Sequence, residues 1–178
     1  RGAPWTPGET VVAGIGQGFV LTTPLQLAVM TARIANGKKA VRPVLYKGQA
    51  EPADFEPLQV SPEILKIMRN GMVQVMTGSL GTARNYDLQK YGGIKEKTGT
   101  VQVKRITKEQ REEGITENID RPWKERDHAL FVAYAPVEKP RYAISVVVEH
   151  GGSGSSMAAP IARDIFEYIF ATEKGRQV

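Results

Sequence analysis

Two stretches late in this chain leave little freedom in how it folds. His128-Ala129-Leu130-Phe131-Val132-Ala133-Tyr134 and Ile144-Ser145-Val146-Val147-Val148 are largely apolar at odd and even positions alike. Successive side chains of a strand point to opposite faces, so a run that is apolar on both faces needs cover on both. The strands these runs predict, 128–135 and 142–149, are separated only by residues 136–141. A link that short makes an antiparallel hairpin. The chain must therefore supply a layer for each side of a sheet.

Helices are the material for those layers. Thr23 is a good N-cap, Pro24 fits the first helical position and Gln26 completes a capping box. Leu25, Ala28, Val29, Ala32 and Ala35 follow at helical spacing, and Gly37 offers a left-handed stop. Ser61-Pro62 opens a second helix by the same logic, with Ile64, Leu65, Met68, Met72, Val75 and Met76 as its apolar face. Gly71 weakens it by about 1 kcal/mol relative to Ala, and 78–81 end it. The polar residues from there to Tyr91 read as a mobile connection. A closing helix, about 156–172, presents Ile161, Ile165, Tyr168 and Ile169 on one face, with Pro160 in its first turn. A third strand is predicted within 92–103. Residues 1–22 read as irregular, and the proline-rich 38–60 as wandering, with a short extended piece at 41–46. The order helix, helix, strand, strand, strand, helix predicts an α/β (α+β) fold with helices on both faces of an antiparallel sheet.

Charge and composition narrow the function. The net charge is +5, but 104–127 holds seven Lys/Arg and seven Asp/Glu. Mixed signs at that density describe a solvated, mobile charged loop between strands and not a phosphate-tracking groove, so no nucleic-acid partner is expected. The chain has no cysteine and two histidines, which removes disulfides and argues against a zinc site; no cofactor is implied. No apolar run approaches the roughly 18 residues of a membrane span, and the first residues do not form a signal peptide.

The chemistry concentrates at Lys97-Thr98-Gly99-Thr100, on the first strand. A lysine, a hydroxyl and a bare glycine in that order suit an acyl-transferring serine enzyme: charge and hydroxyl for a substrate carboxylate, glycine for close approach of a helix. Alternation puts Thr98 and Thr100 toward a cleft, with Lys97 and Gly99 toward a packed helix. On an edge strand, Thr100 N–H is free to serve an oxyanion. Gly14-Ile15-Gly16-Gln17-Gly18 lacks the Gly-Lys-Ser/Thr ending of a phosphate loop and reads as a tight irregular turn. His128 reads as a satisfied structural histidine. The glycine-serine turn 151–156 after His150 reads as a linker, with a carboxylate-bordering helix start as the alternative.

Four blocks together resemble a known family: Trp5-Thr6-Pro7-Gly8-Glu9-Thr10 leading to Gly14-Ile15-Gly16-Gln17-Gly18; Thr23-Pro24-Leu25-Gln26-Leu27-Ala28; Lys97-Thr98-Gly99-Thr100-Val101-Gln102-Val103; and Asp127-His128-Ala129 through Tyr134-Ala135-Pro136. The chain is similar to the C-terminal part of the transpeptidase domain of class B penicillin-binding proteins, of the cell-elongation type. That resemblance implies a penicillin-recognising α/β/α sandwich, of which residues 1–178 supply three of five strands. It implies a peptidoglycan D,D-transpeptidase whose partners are the stem peptide, β-lactam antibiotics and membrane proteins of the elongation machinery. The place it implies is the periplasmic face of the bacterial inner membrane, with the anchor upstream. Lys97, Thr98 and Thr100 are the implied carboxylate-binding residues, and Thr100 N–H half of the oxyanion hole. The family's Ser-x-x-Lys and Ser-x-Asn motifs are absent from these residues, so the chain is expected to be a fragment, inactive and self-associating alone. A D-alanyl-D-alanine carboxypeptidase or β-lactam sensor on the same fold, and a non-catalytic interaction module, remain the alternatives.

Overall fold

The computed structural model describes residues 2, 4–46, 48, 55–77, 91–104, 106–115 and 117–175. Helices α1 (Pro7–Gly14), α2 (Pro24–Asn36) and α3 (Pro62–Thr77) precede strand β1 (Lys95–Val101). A short helix α4 (Lys108–Glu112) and two 3-10 turns lead to β2 (His128–Ala135) and β3 (Tyr142–Val148). A π-turn, Gly154–Ala158, then runs into α5 (Ala159–Gly175). The sheet order is β1-β2-β3, antiparallel throughout, with Gly99 opposite Leu130 and Leu130 opposite Val147.

The two-sided strand dictates the layers, as its sequence predicts. Ala129, Phe131 and Ala133 of β2 meet Ala158, Ala159, Ala162, Phe166 and Phe170 on one face of the sheet. On the other, Tyr134 meets Ile34 of α2 and Met72 of α3. Burial on both sides leaves Phe131, Ala133, Tyr134 and Ala135 at 2% exposure or less. Helix α2 begins with the expected capping box: Gln26 N–H donates to Thr23 Oγ1 at 3.2 Å, and Thr23 N–H to Gln26 Oε1 at 2.8 Å. It ends at Gly37, whose φ of 65° is the left-handed stop. Arg69 of α3 closes that end by donating to the carbonyls of Ile34 and Ala35 at 2.8 and 3.0 Å.

Several local expectations need correction. Residues 7–14 form a helix where irregular structure was expected. Its start carries the signal read at Thr23, Thr-Pro-x-Glu, and Glu9 Oε2 accepts from Thr6 N–H at 2.6 Å. No strand forms at 41–46; among the described residues the only pairing nearby is a single bridge between Lys39 and Pro57. The innermost residues of α2 are Thr31 and Ile34, while Leu25 is exposed. A threonine can line that interface because its hydroxyl donates back to Leu27 O at 2.8 Å, leaving only its methyl to pack. On α3, Leu65 and Met72 are buried, Ile64 faces out, and the Met76 side chain lies outside the described residues. Helix α5 turns a different stripe inward from the one expected. Ala162, Phe166 and Phe170 are buried, whereas Ile161, Ile165 and Tyr168 are exposed. Alanines at 158, 159 and 162 let the helix start tight against the sheet, and the two phenylalanines fill the wider gap further along. The expected mobile connection at 78–90 lies outside the described residues.

Two outcomes follow from this packing. A Cβ at Gly154 would sit 2.3 Å from Leu130 O and 2.4 Å from Gly99 O, both backbone atoms that cannot yield. Gly154→Ala should therefore lower stability by about 3 kcal/mol, read as a shift in the urea midpoint. Residues 11–21 and Leu45, Ile67 and Tyr168 expose large apolar side chains, and β3 has no partner on its outer edge among the described residues. Light scattering should find residues 1–178 alone self-associated; a stable monomer would show these surfaces to be tolerated in water.

Candidate active site

Strand β1 is bounded by β2 on one side and by no strand on the other among the described residues. Across that open edge stands Gln17. Its Nε2 donates to Thr100 O at 2.8 Å, and its Oε1 accepts from Gln102 N–H at 3.4 Å. Thr100 O thus points away from β2. In an antiparallel ladder the N–H and C=O of one residue share a direction, so Thr100 N–H also points off the edge. The lysine reaches the same edge: Lys97 Nζ donates to Thr98 O.

The register separates the side chains as alternation predicts, but it is Lys97 that borders a cleft, where the two threonines were expected to. Lys97 and Gly99 sit beside Val132 and Leu130 on the α2–α3 side, Thr98 and Thr100 beside Phe131 and Ala129 on the α5 side. Lys97 borders an apolar cleft of about 320 Å³ with Thr31, Ile34, Met72 and Val132. Among the four residues the backbone edge is the shared feature, not one face with both amine and hydroxyls. The role expected of Gly99 also changes. Among the described residues a Cβ there would meet only Leu130, at 3.5 Å, an ordinary contact. The tight approach comes from the opposite side, where Gly154 rests on the Gly99 backbone.

The charged stretch 104–127 is not a uniformly solvated loop. Arg121 is 4% exposed and pairs with Asp127 at 2.9 Å. Its NH1 donates to Lys104 O and Glu125 O, both at 3.1 Å, and its NH2 to Asn118 Oδ1. Asp127 accepts from Val103 N–H and Asn118 Nδ2, each at 3.2 Å, which ties the connection back to the end of β1. Burial pushes the Asp127 carboxyl up, but the Arg121, Val103 and Asn118 hydrogen bonds and the Arg121 charge outweigh it and hold it below the ordinary carboxylate value. Polar anchors tie down a stretch whose balanced charge reads as solvated. The signal was an Asn-x-x-Arg followed six residues later by Asp.

His128 is a partner within the fold, its Nδ1 accepting from His150 N–H at 2.9 Å. His150 adopts a φ of 55°, with its ring 4.4 Å from that of Trp123 and its Nδ1 3.0 Å from Arg126 O. The turn after it spends Gly152 N–H on Asp127 O at 2.8 Å. Sequence reasoning read Gln17 as part of a turn and missed its reach. The available signal was a lone carboxamide between two glycines, Gly16 and Gly18, whose φ values of 75° and 81° make the turn.

The sequence matches the family described as penicillin binding protein transpeptidase domain over residues 2–167. The chain belongs to this family. It is 34% identical over 175 residues to the peptidoglycan D,D-transpeptidase MrdA of Haemophilus influenzae, covering 93% of the chain and 26% of that protein. Among solved structures it is similar to Pseudomonas aeruginosa PBP2 in complex with WCK 5153, with a TM-score of 0.71, 38% identity, and coverage of 92% of the chain and 32% of PBP2. It is also similar to PBP2 in the complex with MreC from Helicobacter pylori, with a TM-score of 0.71, 29% identity, and coverage of 93% and 29%. The chain therefore spans about a quarter of the length of the curated relatives it matches.

The Arg121–Asp127 knot predicts a stability gradient and an acid limit. Amides at 117–127 should exchange more slowly than those at 106–115. Because the folded-state pKa of Asp127 is depressed, its contribution is complete above the unfolded carboxylate value and lost as pH falls through the lower folded one. Asp127→Asn should cost about 3 kcal/mol at neutral pH by leaving Arg121 unpaired, erase the exchange difference, and flatten the acid-induced loss of stability.

Proposed function

We propose that the chain works as the C-terminal portion of a longer peptidoglycan D,D-transpeptidase, with 104–127 as its charged inter-strand connection. The observation that carries this reading is the Lys97-Thr98-Gly99-Thr100 edge, open at Thr100 N–H, in a chain whose family is the penicillin-binding transpeptidases. A serine supplied by the rest of the protein attacks the carbonyl carbon of the penultimate D-alanine of a stem peptide. The peptide bond to the terminal D-alanine breaks, its nitrogen takes a proton, and free D-alanine leaves. An amine of a neighbouring stem then attacks the ester, forming the cross-link and returning the serine. Lys97 supplies charge, and Thr98 and Thr100 hydroxyls, for the terminal carboxylate or for that of a β-lactam. Thr100 N–H is one of two donors to the oxyanion, a contact whose loss typically costs about 2.7–4 kcal/mol of transition-state stabilisation.

The relatives support the setting. PBP2 of Helicobacter pylori is found with MreC, and a similar elongation-machinery partner is proposed for the protein containing this chain. No helix among the described residues is long and apolar enough to cross a membrane. The periplasmic face of the inner membrane, where peptidoglycan is made, is proposed as its place, with anchoring by another part of the protein.

The test is acylation of the full-length protein by a fluorescent penicillin. The unsubstituted protein should be labelled on one serine, and residues 1–178 alone should remain unlabelled. Thr98→Val should slow acylation about tenfold or more, as expected for a lost hydrogen bond to a charged group. Lys104→Ala, which removes only an ion pair to Glu125 at 2.7 Å, should stay within about twofold. Equal rate constants for the two variants would take Thr98 out of the site, and no labelling of the full-length protein would refute the assignment.

A further inference from the structure

Gln17 makes hydrogen bonds 83 and 85 residues away in sequence, to the backbone that immediately follows Lys97-Thr98-Gly99. We propose that Gln17 is a positioning residue for the oxyanion donor, holding the end of β1 so that Thr100 N–H stays aimed off the sheet edge. This rests on the acyl-transfer reading above.

The carboxamide is presented from a turn closed on the end of α1, a helix that buries no residue of its own. Gln17 N–H donates to Val12 O at 3.1 Å and Gly16 N–H to Ala13 O at 2.9 Å, so the turn is anchored on the end of α1. Glycines on both sides take up its left-handed bends, and a Cβ at Gly18 would press on Val12 Cγ1 at 3.0 Å. One side chain thereby replaces a neighbouring strand for one donor and one acceptor at the point where β1 leaves the sheet. The peptide before Thr100 is fixed from the other direction. Gly99 C=O points into the β2 ladder, with Gly154 seated against it. Thr100 N–H belongs to that peptide, so it is held between the β2 ladder upstream and the Gln17 bridge downstream. An oxyanion donor must be in place before charge develops, and a misplacement of about 1 Å can cost about a hundredfold in rate. Only a carboxamide fits both contacts, because a carboxylate would set a second acceptor against Thr100 O.

The full-length protein with Gln17→Ala and Gln17→Glu, assayed with a fluorescent penicillin, separates positioning from a structural role. Acylation and hydrolysis of the acyl-enzyme both pass through an oxyanion. Both rate constants should fall together by about tenfold or more, while the non-covalent binding constant stays within about twofold. The melting temperature should move by no more than about 3 °C, as for other partly exposed substitutions. Unchanged rate constants, a loss confined to binding, or faster acylation would each overturn the proposal, the last by marking Gln17 as an occupant that substrate must displace. If the unsubstituted protein takes up no penicillin, the acyl-transfer reading fails and the oxyanion role fails with it. Amide exchange at Thr100 and Gln102 then separately decides the structural half: faster exchange in Gln17→Ala keeps Gln17 as the clamp on this edge, and unchanged exchange removes it.

Discussion

Burial of β2 on both faces is the constraint from which the rest of the architecture follows. Its side chains alternate between the α5 layer and the α2–α3 layer, and neither can be removed without exposing a row of large apolar groups. Burying one large apolar side chain is worth about 1.5–3 kcal/mol, so a strand with Phe131 on one face and Leu130, Val132 and Tyr134 on the other commits the chain to three layers. Once β2 is central, its two antiparallel neighbours become β1 and β3. The Lys-Thr-Gly strand thereby has one edge locked into the core sheet and the other facing away from it.

Rigidity at that free edge comes from close backbone contact and directed polar bonds. Gly154 brings the α5 layer onto the peptide of Gly99, and Gln17 takes the first carbonyl beyond it. Just downstream, Asp127 accepts from Val103 N–H and anchors the long charged connection through buried Arg121. These contacts fall at different points along the strand, from its centre to the residue where the chain leaves it. Their common effect is to limit motion of a short piece of main chain whose N–H and C=O groups face outward.

The layered fold was legible in the sequence because it depends on two-sided apolar runs and on capping signals that act locally. Thr23-Pro24-x-Gln26 and the hairpin between β2 and β3 are local cases of this kind. Where a helix was apolar on more than one side, the inward stripe was not legible. In α5 two stripes compete, and the choice turns on how closely alanine lets the helix sit, which depends on the sheet beneath. In α2 a threonine won over leucine because its hydroxyl could be satisfied within the helix. The four candidate residues were singled out by their order on a strand, and the strand was legible. The bridge that Gln17 makes across the edge of that strand was not legible, because a carboxamide between two glycines is a weak local signal for a contact over 83 residues. The Arg121–Asp127 knot escaped for a related reason: a balanced charge run looks solvated until geometry shows one pair to be buried.

A site built on main-chain groups distributes its requirements unusually. Every residue except proline carries an N–H, so the donor at Thr100 does not itself require threonine. On the proposed oxyanion role, the direction of the donor depends on the absence of a side chain at Gly154, the carboxamide at Gln17 and the ladder partner at Leu130. Such residues look structural when considered one at a time. A substitution among them that leaves the fold intact would change reaction rate before it changed binding, because ground-state contacts tolerate small displacements that a developing oxyanion does not. In this chain, then, the motif marks the proposed place of acyl chemistry, and the residues that fix the direction of its backbone lie far from it in sequence.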